Sequence, residues 1–231
     1  MPVSAGNPAA GAAAHASLRV PLACALLFAS GISALVFQVL WVKQLALVVG
    51  VEVHAVALGV AAFFAGLALG GWLAGPRADR SARPLCFYAA IEAGIALLAS
   101  ASTLALARSA APFAWLEALA GPLAWLLPAL LVLLPALLMG ATLPVLMRAV
   151  APQASQVGRA GGALYAASTL GAIAGALLCS FFLIPSLGVR GSAFAAGALN
   201  LAVALAAMVL DRGLAAHPPS SAAIRGACSP C

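Results

Sequence analysis

The stretch VPLACALLFASGISALVFQVLWV, residues 20–42, decides the fold. It holds no charged side chain between Arg19 and Lys43. At 1.5 Å per residue its length as a helix matches the ~30 Å hydrocarbon core of a bilayer. A surface helix of a soluble domain shows one polar face, whereas here apolar residues occur all round the helix. A cleaved signal peptide would have a basic start, a shorter apolar core and a small-residue cleavage site. The run therefore reads as a retained first span.

Five comparable runs follow it. They extend from about His54 to Gly75, Leu85 to Ala107, Leu123 to Met147, Ala163 to Pro185 and Ser192 to Leu210. Composition agrees: 65% of the 231 residues are hydrophobic, 7% are charged, and the mean hydropathy is +1.14. So little charge cannot cover the surface of a water-soluble domain. The expected fold is an all-α integral membrane protein with six transmembrane helices. Residues 1–18 are expected as a disordered tail, 19–211 as the membrane domain and 212–231 as a cytoplasmic tail. Ser109–Gly121 carries Pro112, Trp115 and Glu117 and is too short and mixed to cross, which suits the bilayer interface.

Eleven Lys and Arg stand against five Asp and Glu, a net charge of +6. They sit singly or in threes at the ends of the apolar runs, which is the pattern of topology rather than of nucleic-acid binding. With the N-terminus inside, the cytoplasmic set is Arg19, Arg77, Arg80, Arg83, Arg148, Arg159, Arg212 and Arg225. The opposite set is Lys43, Arg108 and Arg190. Both termini are therefore expected in the cytoplasm.

The span centres fall near residues 31, 68 and 96 and again near 135, 173 and 201, each about 105 residues after its counterpart. Two inverted three-helix repeats, a half-transporter-like plan, would give that spacing. Small residues correspond too, with Gly66 and Gly70 in the second run and Gly171 and Gly175 in the fifth. Lipid tails supply no hydrophobic drive between helices, so close backbone approach at such glycines is the expected packing device. These two helices are the expected central packing elements.

An ionisable group inside a bilayer is costly and is a functional candidate by default. Glu92, seven residues into the third run, lies roughly 10 Å along the helix. It must face the bundle interior, pair with a cation or take up a proton. Gln38 and Trp41 close the first run. Thr142 precedes Pro144 in the fourth, and Tyr165 and Ser168 open the fifth; these three could line a cytoplasmic vestibule or bond back to their own helices. Asp79 is expected to pair with Arg77 or Arg80, and Asp211 to cap the sixth run beside Arg212.

Cys24, Cys86 and Cys179 lie in or beside apolar runs, where a thiol acts as a small hydrophobe. The terminal C-S-P-C of Cys228 and Cys231 lacks the two further ligands a zinc site needs. No metal and no cofactor is expected. No phosphate-binding loop, dinucleotide fingerprint or zinc-protease motif occurs, and no catalytic residue is assigned.

Several strings together resemble a known family. SGISALVFQVLWVK (30–43), the Gly-rich second run closing in ADR (78–80), GATLPVLMR (140–148) and LYAASTLGAIAGAL (164–177) are similar, in order and spacing, to the membrane region of bacterial fused spermidine-synthase-like proteins. The resemblance covers residues 20–210. It implies a membrane region like half of a major facilitator transporter, in the bacterial inner membrane. In the family this region is coupled to a cytoplasmic aminopropyltransferase domain, which cannot fit in the 21 residues after Leu210. This chain is thus not expected to be an enzyme. The family usually has an acid where Gln38 stands and Asn where Ser168 stands, so the resemblance does not by itself carry ligand binding to those two positions; with Glu92, Trp41, Thr142 and Tyr165 they are the candidate substrate-binding residues of this chain.

The expected function is a membrane module that binds, conducts or delivers a small organic, polyamine-like substrate. The alternative is a membrane anchor for a cytoplasmic synthase-like partner, with no transport. Two copies would be needed to enclose a two-sided pathway. Besides the lipid bilayer, a second copy and a synthase-like protein are the partners in view, and nucleic acid is not.

Overall fold

Helix α1 (Pro8–Val49) carries the deciding stretch through the middle of the molecule, where it touches every other α-helix. In this computed structural model the backbone is described over residues 8–151 and 154–216, and side chains over 20–151 and 158–213. The described residues are all-helical. After α1 come α2 (Glu52–Arg80), α3 (Pro84–Leu106), the short α4 (Ala110–Ala120), α5 (Leu126–Val150), α6 (Ala154–Leu178) and α7 (Ile184–Ala216). A 3-10 turn (Gly121–Trp125) joins α4 to α5, and a π-helical turn (Cys179–Leu183) joins α6 to α7.

Five helical segments are long and apolar enough to cross a membrane: Val20–Val49, Glu52–Asp79, Pro84–Leu106, Ala110–Val150 and Gly158–Gly213. Their outward faces are apolar as well, with Phe64, Leu97, Leu130, Phe181 and Leu205 among many large side chains left uncovered. Exposed apolar surface on that scale belongs against lipid rather than water.

Glycines set the closest helix contacts. On α2, a Cβ at Gly70 would lie 1.8 Å from the Leu137 carbonyl oxygen, and one at Gly66 would lie 2.8 Å from that of Leu133, both on α5. On α6, Gly171 and Gly175 stand in the same way against the carbonyls of Phe28 and Ile32 on α1, at 2.1 and 2.2 Å. Only a residue without a side chain permits such approach. The four glycines therefore pack as expected, but in two separate pairs: α2 lies on α5, and α6 lies on α1. The central element is α1 itself, with Phe37, Leu40, Trp41 and Leu45 fully buried.

Helix α3 packs against α1, α5 and α7. Ser102 donates across to the Leu131 carbonyl of α5. Contact order along the chains gives direction: both glycine pairs run parallel, since residue numbers rise together. Arg83 meets Asp211 while Gly197 meets Ser100 and Ala96, so α3 and α7 run antiparallel. The chain consequently turns back between α6 and the body of α7. It does so at Gly188, whose φ of 66° and ψ of −178° break the helix.

The π-helical turn precedes Pro185, whose ring would clash with a regular preceding turn and which offers no N–H. Cys179 is buried in this turn, its thiol 3.7 Å from the Val36 carbonyl. Cys24 is half-buried and Cys86 exposed.

The loop charges choose partners on other helices. Asp79 stands 4.0 Å from Arg148 of α5, not with Arg77 or Arg80, because α2 and α5 end side by side. Arg77 instead donates to the Leu73 carbonyl of its own helix at 2.7 Å. Asp211 pairs with Arg83 rather than Arg212, since the antiparallel α3–α7 register brings those two ends together. The tail expected at 1–18 lies outside the described residues over 1–7, and from Pro8 the backbone is the start of α1. The C-terminal tail beyond Ala216, with Cys228 and Cys231, lies outside them altogether.

Candidate functional site

Ser30, Ser33, Phe37, Trp41 and Gln44 recur on α1 at intervals of three and four, which places them on one face. Tyr88, Glu92, Ala99 and Thr103 stand four, seven and four residues apart on α3, again on one face. All nine are buried, and the two faces meet. Two polar stations result, separated along α3 by the eleven-residue step from Glu92 to Thr103, about 16 Å.

The station at Thr103, the outer one in the expected topology, ties two helices together and leaves the buried Gln44 Oε1 without a hydrogen bond. Trp41 Nε1 donates to Thr103 Oγ1 at 3.0 Å, Gln44 Nε2 donates to the Thr103 carbonyl at 2.8 Å, and Thr103 Oγ1 donates back to the Ala99 carbonyl at 2.8 Å. Such bonds tie α1 to α3 in a medium that offers no competing water.

The inner station holds Glu92. Its side chain is completely buried, and neither carboxylate oxygen has a formed hydrogen bond. The hydroxyls of Ser30 on α1 and Tyr88 on α3 lie beside it. Tyr88 is also fully buried, and its hydroxyl is likewise unbonded. Ser33 donates to the Ser30 carbonyl at 2.8 Å and also meets the Asn200 side-chain oxygen of α7. Asn200 is fully buried, and its Nδ2 has no partner. The α3–α7 register sets Asn200 within about one helical turn of Glu92. Three helices thus meet near this carboxylate, with the Ser30 and Tyr88 hydroxyls beside it and the Asn200 amide reached through Ser33.

Among the described residues no cation answers it. Among the described residues, Glu92 is the one Asp, Glu, Lys, Arg or His in the middle of an apolar run. Lys43 is exposed near the far end of α1. Arg83, at the start of α3, is taken by Asp211, whose carboxylate raises the guanidinium pKa through a hydrogen bond and direct attraction. A buried carboxylate without a counter-charge is expensive, so this arrangement suits a group that acquires a proton or a cationic ligand.

The other candidates are dispersed. Gln38 is 8% exposed with its Oε1 unbonded. Trp41 belongs to the outer station. Thr142 is buried and donates to the Met139 carbonyl of its own helix at 2.7 Å. Tyr165 is 66% exposed and faces outward, while Thr169 bonds back to the Tyr165 carbonyl at 2.9 Å. Ser168 contributes its carbonyl to the α1 contact at Gly31. Thr142, Tyr165 and Ser168 are not gathered into a vestibule.

Sequence reasoning passed over Ser30, Ser33, Tyr88, Gln44, Thr103 and Asn200. The available signals were the i, i+4 spacing of Tyr88 to Glu92 and a single Asn within an otherwise apolar run. No protein-family model, no curated protein and no solved structure matches the chain.

Proposed function

We propose that this chain is the membrane module of a spermidine-synthase-like system and that it binds a small organic cation of the polyamine kind at Glu92. The observation that carries the reading is a completely buried carboxylate with neither oxygen hydrogen-bonded and, among the described residues, no cationic side chain beside it. An alkylammonium group would supply the missing charge and several N–H donors. Ser30, Tyr88 and Asn200 would orient it.

The reading takes the chain as six spans in a bacterial inner membrane, with both termini in the cytoplasm. The break at Gly188 supports dividing the last 56-residue segment into two crossings, because its two halves run in opposite directions. The excess of Arg on the inner loops supports the orientation. Two inverted three-helix repeats fit the packing as well. Gly66 on Leu133 and Gly70 on Leu137 recur, 105 residues displaced, as Gly171 on Phe28 and Gly175 on Ile32. Two copies of the module would complete a pathway.

The test is uptake and efflux of labelled spermidine in proteoliposomes. Flux by the wild-type protein that is lost in Glu92→Gln is expected. Equal flux in the two proteins, or none in either, would overturn transport through this site. The anchor reading draws on a different observation, the back-bonding of Thr142 to its own helix and the outward face of Tyr165, so that among the described residues these two do not form a polar mouth between α5 and α6. Copurification of a soluble synthase-like protein, without spermidine binding, would favour it.

A further inference from the structure

We infer that Glu92 takes its organic cation in exchange for a proton, so that the α1–α3–α7 junction holds either a neutral carboxyl or a carboxylate–ammonium pair. This rests on the cation-binding reading above and adds to it what occupies the site when the ligand is away.

The geometry leaves few options for the empty site. Both Glu92 oxygens are sealed from solvent and unbonded, which would strand a full negative charge in a low-dielectric interior. Protonation removes that charge and creates a donor. The carboxyl O–H then has the Ser30 hydroxyl within its surroundings as acceptor, and the remaining carbonyl oxygen can accept from Tyr88.

Among the described residues, no other charge on the packed elements takes over this role. Helix α1 brings Cys24 and the exposed Lys43. Helix α5 brings Arg148, at its far end beside Asp79, and α7 brings Arg190, Asp211 and Arg212. On α3 itself the titratable groups are Cys86, which is exposed, and Tyr88. Only Tyr88 adjoins Glu92.

The exchange balances simply. As the ammonium enters, the Glu92 O–H bond breaks and its proton passes to water. The carboxylate keeps the electron pair and accepts hydrogen bonds from the ammonium N–H groups. Return of a proton to the carboxylate releases the cation. One carboxyl therefore cannot hold both at once, and gradients of proton and cation become linked through it.

The experiment uses the full chain in detergent with spermidine as the probe. Equilibrium dialysis with labelled spermidine is run from pH 5 to about 7.5, where alkylamines stay charged. In parallel, a pH-indicator dye in weakly buffered solution records proton release on mixing. Apparent affinity is expected to fall by about tenfold per pH unit on the acid side, with about one proton released per spermidine bound at low pH. Glu92→Gln, checked for folding by its thermal melt, should abolish the release. Spermidine binding that is independent of pH and releases no proton would overturn the exchange and leave cation binding standing. Absence of spermidine binding at every pH would overturn the functional reading, and the exchange with it.

Discussion

Gly70 and Gly75 lie five residues apart on α2 and meet opposite surroundings. A Cβ at Gly70 would run into the Leu137 carbonyl, whereas one at Gly75 would meet nothing within 4 Å. Gly70→Ala must push α2 from α5 and is expected to destabilise the fold by about 1–3 kcal/mol. Gly75→Ala should be neutral or stabilising by up to ~1 kcal/mol, through helix propensity alone. Thermal unfolding of both variants in one detergent checks the contrast, and equal melting temperatures would refute it. At this scale the sequence was readable where a residue announces itself without help. The four packing glycines stood out by their spacing and Glu92 by its depth in an apolar run. Ser30, Ser33 and Asn200 did not, because a lone hydroxyl or amide in a span bonds to its own helix unless a partner arrives from another one. That partner is fixed only by tertiary packing.

Among the elements, the joint between α6 and α7 is the most informative. Its helical hydrogen bonding runs on through a π-helical turn and Pro185 until Gly188, whose φ and ψ lie in a region that side chains exclude. No neighbour lies within 4 Å of a Cβ there, so Gly188→Ala isolates backbone strain from packing. It is expected to cost about 1–3 kcal/mol by thermal unfolding, with an unchanged melt refuting the strain. The apolar runs ending at Pro185 and resuming at Ser192 bracket this joint, so its position was legible from the sequence. The partners of each helix were not. Glycine spacing marks a contact face without naming what lies on it, and the pairing of α2 with α5 and α6 with α1 emerged only from the fold. The same holds for Asp79 and Asp211, whose nearest charges in the sequence proved not to be their partners.

For the whole molecule, the breadth of uncovered apolar surface makes lipid the solvent of the helical segments. The proposed topology then predicts opposite accessibilities for two loop positions. Arg190→Cys should react with a membrane-impermeant maleimide in intact cells, and Arg83→Cys only in inverted vesicles. Labelling of both from one side would contradict six crossings. The all-helical, membrane-compatible class was plain from composition and run length, since the chemistry of the bilayer writes itself directly into hydropathy. The candidate site was half legible: its charged member was visible, and the junction of three helices around it was not.

The glycine contacts have a mechanical consequence. With backbone pressed against backbone, α2 with α5 and α1 with α6 have no side-chain cushion between them that could shear. Each couple must tilt as a stiff rod. Any rearrangement of the bundle is thereby steered to the seams packed through side chains, and the seam that α3 shares with α1 and α7 runs past Glu92.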